Sequence, residues 1–561
     1  MRYGFNVQRL FSVRKLVLSG ILSFCISISA TAAPAYVEWT YMPLADGSLV
    51  EAALVGDESW HCYVTRDGRQ MELGTDGRLV ELTVGRTARM ERQAARKAQS
   101  RKAPAARRAQ TALKGERRQL VILVEYTDTK FADEAPLELW NRIFNTDNLS
   151  EGQFVGSVRD YFRDQSYGQF LLSFDLRMAH LNHPSAYYGG TDYWGDDEKV
   201  GELVVDAVKD VEQSIADWSP YDWDGDGQVD QVFILFAGKG QNNGGGVGTV
   251  WPQQWRLSEE GTGTYSVSSK GKTYVIDNFG CFAELYRDGG YGSFGTLCHE
   301  YGHCLGLPDF YYVSYVSYVT TSVVRSWDVM DYGLYNGGGF CPAGYSAHER
   351  WCLGWLSMKE LVKPLTVEGM AALDASPEAY LLRNDGYSDE YYVLENRQKQ
   401  GWDAALPGEG VLIFHIDYDE EVWHTGVPNS SYLKRYSIVP ANNVAFYYYQ
   451  AGWSYPYGSG SALNNSLSSS SHPAATLYHP NSDGSMMIER PITGITVSGG
   501  LAGFSFWGGA PSGIDDVDAG GSSSHRYYDL GGNYRGNSID GLPRGVYVDC
   551  WQGGRRKVVK R

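Results

Sequence analysis

Cysteine is scarce in this chain, with eight among 561 residues. Cys25 sits in the first apolar stretch; Cys62, Cys281, Cys298, Cys304, Cys341, Cys352 and Cys550 remain, an odd number. None has zinc-finger spacing, and so few in a long chain form no disulfide framework. A single bridge among Cys281, Cys341 and Cys352 is compatible with the sequence. Positive charge is also short: 49 Lys and Arg face 66 Asp and Glu, for a net charge of −17. That balance argues against nucleic acid and anionic membranes as partners. Beyond the N-terminus no apolar run is long enough to span a bilayer, and no repeat array recurs.

Glycine (66) and tyrosine (40) are abundant, which favours turns and β-structure over a helical bundle. The length is too great for one core and suggests three to four domains. The N-terminus reads as an export signal over residues 1–33. Arg2, Arg9, Arg14 and Lys15 form a basic region, "LVLSGILSFCISISA" an apolar one, and "ATAAPA" a cleavage site near Ala32 or Ala33. A secreted or surface location follows.

Residues 34–118 divide in two. "GSLVEAALVGDESWHCYVTRDGRQMELGTDGRLVEL" has short β-like segments broken by Gly and Asp. Arg86 to Arg118 is rich in Arg, Lys and Ala without aromatics; it cannot bury a core and reads as a protease-sensitive linker. Residues 119–360 mix strands and helices. "QLVILVEYTD" and "QVFILFAG" are buried-type strands, whereas "SVRDYFRDQSYGQ" and "GELVVDAVKDVEQSI" are helical. Residues 361–510 turn mostly β, with strands in "YYVLENRQ", "GVLIFHIDYD" and "ITGITVSGGLAGFSFWG" and a polar loop in "SYPYGSGSALNNSLSSSSHP". Residues 511–561 are a Gly/Ser/Asp-rich linker and a small β-hairpin module. The expected class is α+β.

The stretch "GTLCHEYGHCLGLPDF" carries the chemistry. On a helix, His299 and His303 lie one turn apart on one face, a spacing that suits two ligands of one tetrahedral zinc ion. Glu300, on the adjacent face, can reach a water held by the ion and act as general base. Gly306 permits a sharp turn that could return Asp309 as a third ligand, leaving a fourth position open for catalysis. Spacing prefers Asp309; Glu349 in "SAHERW" and Glu395 in "YYVLENRQ" are rivals. Downstream, Met330 sits in a Gly-ended turn, "SWDVMDYGLYNGG", that resembles the Met-turn of metzincin peptidases. Tyr332 matches the position from which some metzincins stabilise an oxyanion.

"YDWDGDGQVDQV" places Asp222, Asp224, Asp226 and Asp230 at alternating positions of a DxDxDG loop. Gly227 allows the turn and the Gln228 carbonyl can serve at position seven, so the loop suits structural calcium. Phe233 replaces the twelfth-position glutamate of an EF-hand, so the loop leads into a strand. Cys62 could occupy an open zinc position to enforce latency, but a small buried strand residue accounts for it better. His348 and His415 are expected in packed, hydrogen-bonded roles. The aromatics of "FYYYQAGWSYPYG" suit core or loop packing, or stacking on a glycan.

Taken in order, "VILVEYTDTKF", "SVRDYFRDQSYGQ", "DWDGDGQVDQVFILFAG", "HEYGHCLGLPDFY", "SWDVMDYG", "SAHERWCLGWL", "YYVLENRQ" and "GVLIFHIDYD" resemble the immune inhibitor A family of secreted metzincin-like metallopeptidases. Phe310, Tyr311 and Tyr312 follow Asp309 where family members often carry another acidic or Asx residue. The resemblance implies a zinc endopeptidase acting on protein or peptide substrates and made as a proenzyme, with a zincin-like catalytic domain at 119–360. The last segment resembles C-terminal sorting domains of Bacteroidetes secreted proteins, which implies contact with outer-membrane secretion machinery. The competing expectation is an exported adhesin or glycan-binding protein with a vestigial metal site; an intact Glu300 speaks against it.

Overall fold

The computed structural model describes residues 33–58, 61–82, 113–190, 197–311 and 323–509, apart from 425, 430–432 and 446, with parts of 526–560. The expected signal segment, most of the basic linker and the Gly/Ser/Asp-rich linker lie outside the described residues. The chain is a mixed α/β structure dominated by strands.

"QLVILVE" forms the centre because every residue in it is apolar or short of charge until Glu125. In the central five-stranded sheet the order is Gln253–Arg256, Asn278–Leu285, Val232–Lys239, Gly115–Glu125, Phe170–His180. The inner pairs are parallel, and Gln253–Arg256 is an antiparallel edge. Leu120 to Val124 pair in register with Val232 to Phe236. Both runs are buried on both faces, as parallel strands under two helical layers must be. Alternation splits them: Val121, Leu123, Phe233 and Leu235 join one core with Trp140, Phe162, Phe294 and Tyr301. Leu120, Ile122, Val124, Val232 and Ile234 join the other, against Val204, Val208 and Val211.

The first face is covered by helices Pro136–Asn145, Val158–Gln165 and Phe294–Cys304, the second by Val200–Val211. Helix Val158–Gln165 opens with a capping box. The Ser157 hydroxyl accepts from the Asp160 amide at 3.1 Å, and the Asp160 carboxylate accepts from the Ser157 amide at 2.9 Å.

Two further units frame this core. The N-terminal unit is an antiparallel sheet of Thr40–Pro43, Leu49–Gly56, His61–Thr65, Gln70–Leu73 and Leu79–Glu81, in chain order. His61 ties it to the core, stacked on Trp251 at 4.6 Å and 2.9 Å from Gln241 Nε2. After the core comes a five-stranded sheet containing Glu390–Arg397 and Gly410–Asp417, with a three-stranded sheet of Leu365–Met370, Leu501–Phe506 and Ile492–Ser498. Tyr380, Leu394, Phe504 and Phe506 pack between them. A four-stranded sheet forms within 526–560.

Two expectations need correction. The polar loop contains a hairpin, Tyr457–Ser459 with Ala462–Asn464, turned at Gly460 with φ +61°. Cys281, Cys341 and Cys352 are all free. Cys281 is sealed inside the central sheet, and Cys341 Sγ lies 3.3 Å from the Trp402 carbonyl.

Arg397, buried with Glu395 and Asp403, locks the second β-unit to the core. It donates to Asp403 through Nε and Nη2, both at 2.6 Å, and to Glu395 at 3.0 Å, and Nη2 also reaches the Gly344 carbonyl. Removing it would strand two buried carboxylates. Arg397→Ala is expected to lower unfolding free energy by about 3–5 kcal/mol in urea titrations; a loss below about 1 kcal/mol would mean that water reaches the cluster.

Candidate metal centre

The helix Phe294–Cys304 gives the site its frame. His299 and His303 project from one face, ring centroids 4.6 Å apart. The helix closes as a Schellman motif: Leu307 N–H donates to the Gly302 carbonyl at 3.1 Å, and Gly306 N–H to the His303 carbonyl at 2.9 Å. Gly306 takes φ +102°, which a side chain would resist. The reversal carries Asp309 back over the helix face. There its amide donates to the Gly426 carbonyl at 2.7 Å, and the next amide, of Phe310, to the Met330 carbonyl at 2.9 Å.

Two carbonyls fix the tautomers. His299 Nδ1 is 2.8 Å from the Val329 carbonyl and His303 Nδ1 is 2.8 Å from the Leu307 carbonyl. A carbonyl only accepts, so both Nδ1 atoms carry the proton and both Nε2 atoms present lone pairs. The Nε2 atoms stand 3.1 Å apart, and Asp309 Oδ1 lies 3.1 Å and 3.3 Å from them. Three buried acceptor atoms thus meet with no proton among them, and Asp309 Oδ1 has no hydrogen-bond donor. Ligands about 2.0–2.1 Å from a tetrahedral zinc stand about 3.3 Å from one another. The donor set and its spacing fit zinc.

Burial opposes charge on Asp309 beside the two imidazoles. Glu300 is buried beside them. Burial pushes its carboxyl well above the usual range, partly offset by a hydrogen bond from the Ala33 amide. That bond, Ala33 N to Glu300 Oε1 at 2.7 Å, joins residues 267 apart in sequence. Glu300 Oε2 is buried and unpartnered. Composition and spacing gave no sign of the Ala33 contact; only the position of Ala33 beside the expected cleavage point hinted at a special role.

Glu349 and Glu395 are occupied elsewhere. Glu349 Oε2 accepts from Ser346 N in a capping box, and Glu395 accepts from Ala347 N and Arg397. Met330 is buried under the helix in a turn where the Asp331 and Gly333 amides donate to the Asp328 carbonyl. A Cβ on Gly302 would meet Met330 Sδ at 2.6 Å, so the glycine lets helix and turn touch. Tyr332 faces the N-terminal sheet, packed against the cluster of Val55, Cys62, Val64 and Tyr311, with the Arg325 guanidinium 4.9 Å over its ring. Cys62 is buried there, outside the convergent donor set.

In the acidic loop, single carboxylate oxygens of Asp222, Asp224 and Asp226 lie within 4.8 Å of one another. Asp230 does not join them: it is buried and accepts from Trp223 N. Gln228 also turns inward, its amide and side chain donating to Asp226. Phe233 is in a strand. His348 bonds Tyr391 and His415 bonds Glu390, packed roles in both cases. Tyr448 and Tyr449 are exposed.

Residues 108–353 match the family described as immune inhibitor A peptidase M6, catalytic domain. "Immune inhibitor A" of Bacillus thuringiensis subsp. alesti is 28% identical over 273 residues, 41% of this chain and 38% of that protein. "Pre-pro-metalloprotease PrtV" of Vibrio cholerae serotype O1 (strain M66-2) is 28% identical over 331 residues, 53% of this chain and 34% of that protein. The matches span little more than a third of the length of these relatives.

The positive φ at Gly306 makes the turn testable. Gly306→Ala is expected to cost about 1–2 kcal/mol of stability and to weaken zinc binding, measured by competition with a chromophoric chelator. Unchanged stability and affinity would show that the turn does not place Asp309.

Proposed function

We propose that this protein, whose residues 108–353 match the immune inhibitor A peptidase M6 catalytic domain, is a secreted zinc endopeptidase made as a proenzyme. The convergence of His299 Nε2, His303 Nε2 and Asp309 Oδ1 carries this reading. Bound zinc would polarise the scissile carbonyl and acidify the attacking water. Glu300 takes the proton of that water and delivers it to the leaving amine. Tyr332 is the candidate donor to the oxyanion, a role that requires the N-terminal sheet to leave its ring.

Latency is supported by the Ala33–Glu300 hydrogen bond, which lays the chain across the base; of the two expected cleavage points, the one after Ala32 keeps Ala33 in the proenzyme, directly ahead of its pro-domain. We take residues 34–118 as the pro-domain and its linker, released by cleavage within Arg86–Arg118 ahead of Gly115, where the central strand begins. Residues 119–360 would then be a zincin-type catalytic domain, 361–510 a β-rich domain, and 511–561 a linker and sorting-like module engaging secretion machinery. The described residues contain no helix long and apolar enough to cross a membrane. Asp222, Asp224 and Asp226 would hold structural calcium ahead of the strand Val232–Lys239. Asp230 and Gln228, with their side chains engaged in the loop, would act by bracing it, and the Gln228 carbonyl remains the seventh-position ligand.

Glu300→Gln is expected to reduce casein or gelatin hydrolysis by about a thousandfold or more with zinc content and melting temperature retained. Turnover within a few fold of wild type would remove Glu300 as the base. Phenanthroline should abolish wild-type hydrolysis; persistent cleavage would remove the metal from the mechanism.

A further inference from the structure

Ala33 to Tyr36 lies across the centre as an extended peptide, and the core grips it through its main chain. Besides the Ala33 N–H to Glu300 bond, the indole Nε1 of Trp251 donates to the Ala33 carbonyl at 3.0 Å. The Tyr335 hydroxyl donates to the next carbonyl, of Pro34. The Tyr36 amide donates to the Asn242 carbonyl at 3.4 Å. Trp251 comes from the loop before the edge strand Gln253–Arg256, and Tyr335 from the 3-10 segment Tyr332–Gly339 after the Met330 turn. Successive carbonyls of an extended chain point to opposite sides, and the two donors stand where such carbonyls arrive.

Side chains are sorted along the same bed. Ala33 is enclosed by the core, whereas Ala35 packs between Trp251 and Leu54 of the N-terminal sheet, its amide donating to the Gly56 carbonyl at 2.8 Å. The Tyr36 ring is held edge-on by Tyr335 at 5.0 Å and Tyr286 at 5.9 Å, with the Arg287 guanidinium 4.9 Å above it. Trp251 and Tyr335 are buried, so departure of the segment would leave an indole N–H and a hydroxyl without their acceptors. Buried donors without acceptors are costly until another main chain supplies them.

We propose that this bed is the substrate-binding half of the cleft: Trp251 and Tyr335 receive successive carbonyls of an extended peptide, and the Tyr286–Tyr335–Arg287 pocket receives an aromatic side chain three residues beyond the small residue at Glu300. Trp251 and Tyr335 are positioning residues, and the pocket is a specificity determinant. The proposal rests on the proenzyme reading, in which Ala33–Tyr36 holds the place of substrate. The bed selects a small residue at Glu300 and an aromatic one three residues beyond, the latter by ring stacking.

The test uses enzyme recovered after cleavage of its linker, with zinc restored. Acetyl-Ala-Pro-Ala-Tyr-amide and acetyl-Ala-Pro-Ala-Ala-amide are compared as inhibitors of gelatin hydrolysis. The tyrosine peptide is expected to inhibit competitively with a Ki about tenfold lower. Arg287→Ala should narrow that difference. Tyr335→Phe keeps the ring and loses the hydroxyl; it should raise Ki and KM about tenfold with kcat within about twofold. Equal Ki for the two peptides, or an unchanged Ki and KM in Tyr335→Phe, would overturn the proposal and leave the zinc peptidase standing. Absence of hydrolysis by zinc-loaded wild type would overturn both.

Discussion

Three lone pairs held within 3.3 Å of one another inside a protein repel, and the fold must spend stability to keep them there. A divalent cation reverses the sign of that interaction. The rest of the centre follows from this constraint. Each Nδ1 is tied to a carbonyl so that neither ring can turn its lone pair away. Asp309 is pinned by its own amide to Gly426 and through Phe310 to the Met330 carbonyl. The Phe310 ring stacks on Tyr436 at 3.7 Å, and the Tyr436 hydroxyl donates to Asp328 at the head of the Met330 turn. Helix, turn and the strand Tyr436–Ile438 of the second β-unit are thus one mechanical assembly.

That coupling explains why so much polar material is buried behind the site. Asp328, with its carboxyl raised to about 7 by burial, accepts from Met330 N and from Tyr436. Ser346, Glu349, Glu395 and Arg397 continue the network into the second β-unit. These groups touch no donor atom of the centre, yet they determine where the Val329 carbonyl stands, and that carbonyl sets the His299 ring. The second β-unit therefore acts as a brace for the metal helix.

Local features were legible in the sequence. The His299–His303 spacing, the Gly306 reversal and the return of Asp309 all arise within a dozen residues, where helical periodicity and turn chemistry decide the outcome. The central strands were legible because burial on both faces removes polar residues from them. What escaped depends on contacts between distant segments. The Ala33 amide at Glu300, the Trp251 indole and the Tyr335 hydroxyl acquire their roles only when the N-terminal unit docks. Tyr332 can be placed near the metal helix by sequence, but its ring is taken up by the N-terminal sheet. Asp230 fits the loop pattern by spacing, while its carboxylate is drawn to the Trp223 amide. The hairpin at Gly460 hid in a polar run because its side chains bury little.

The whole centre depends on His299, His303 and Asp309 as the owners of the atoms that hold the ion. Zinc K-edge X-ray absorption on the purified protein, compared with Asp309→Ala, tests it most directly. Zinc surrounded by light atoms is expected, with two imidazoles and one carboxylate oxygen from the protein, and loss of one oxygen contribution or of the zinc itself in the variant. A sulfur scatterer, as Cys62 would supply, or an identical shell in Asp309→Ala, would contradict it.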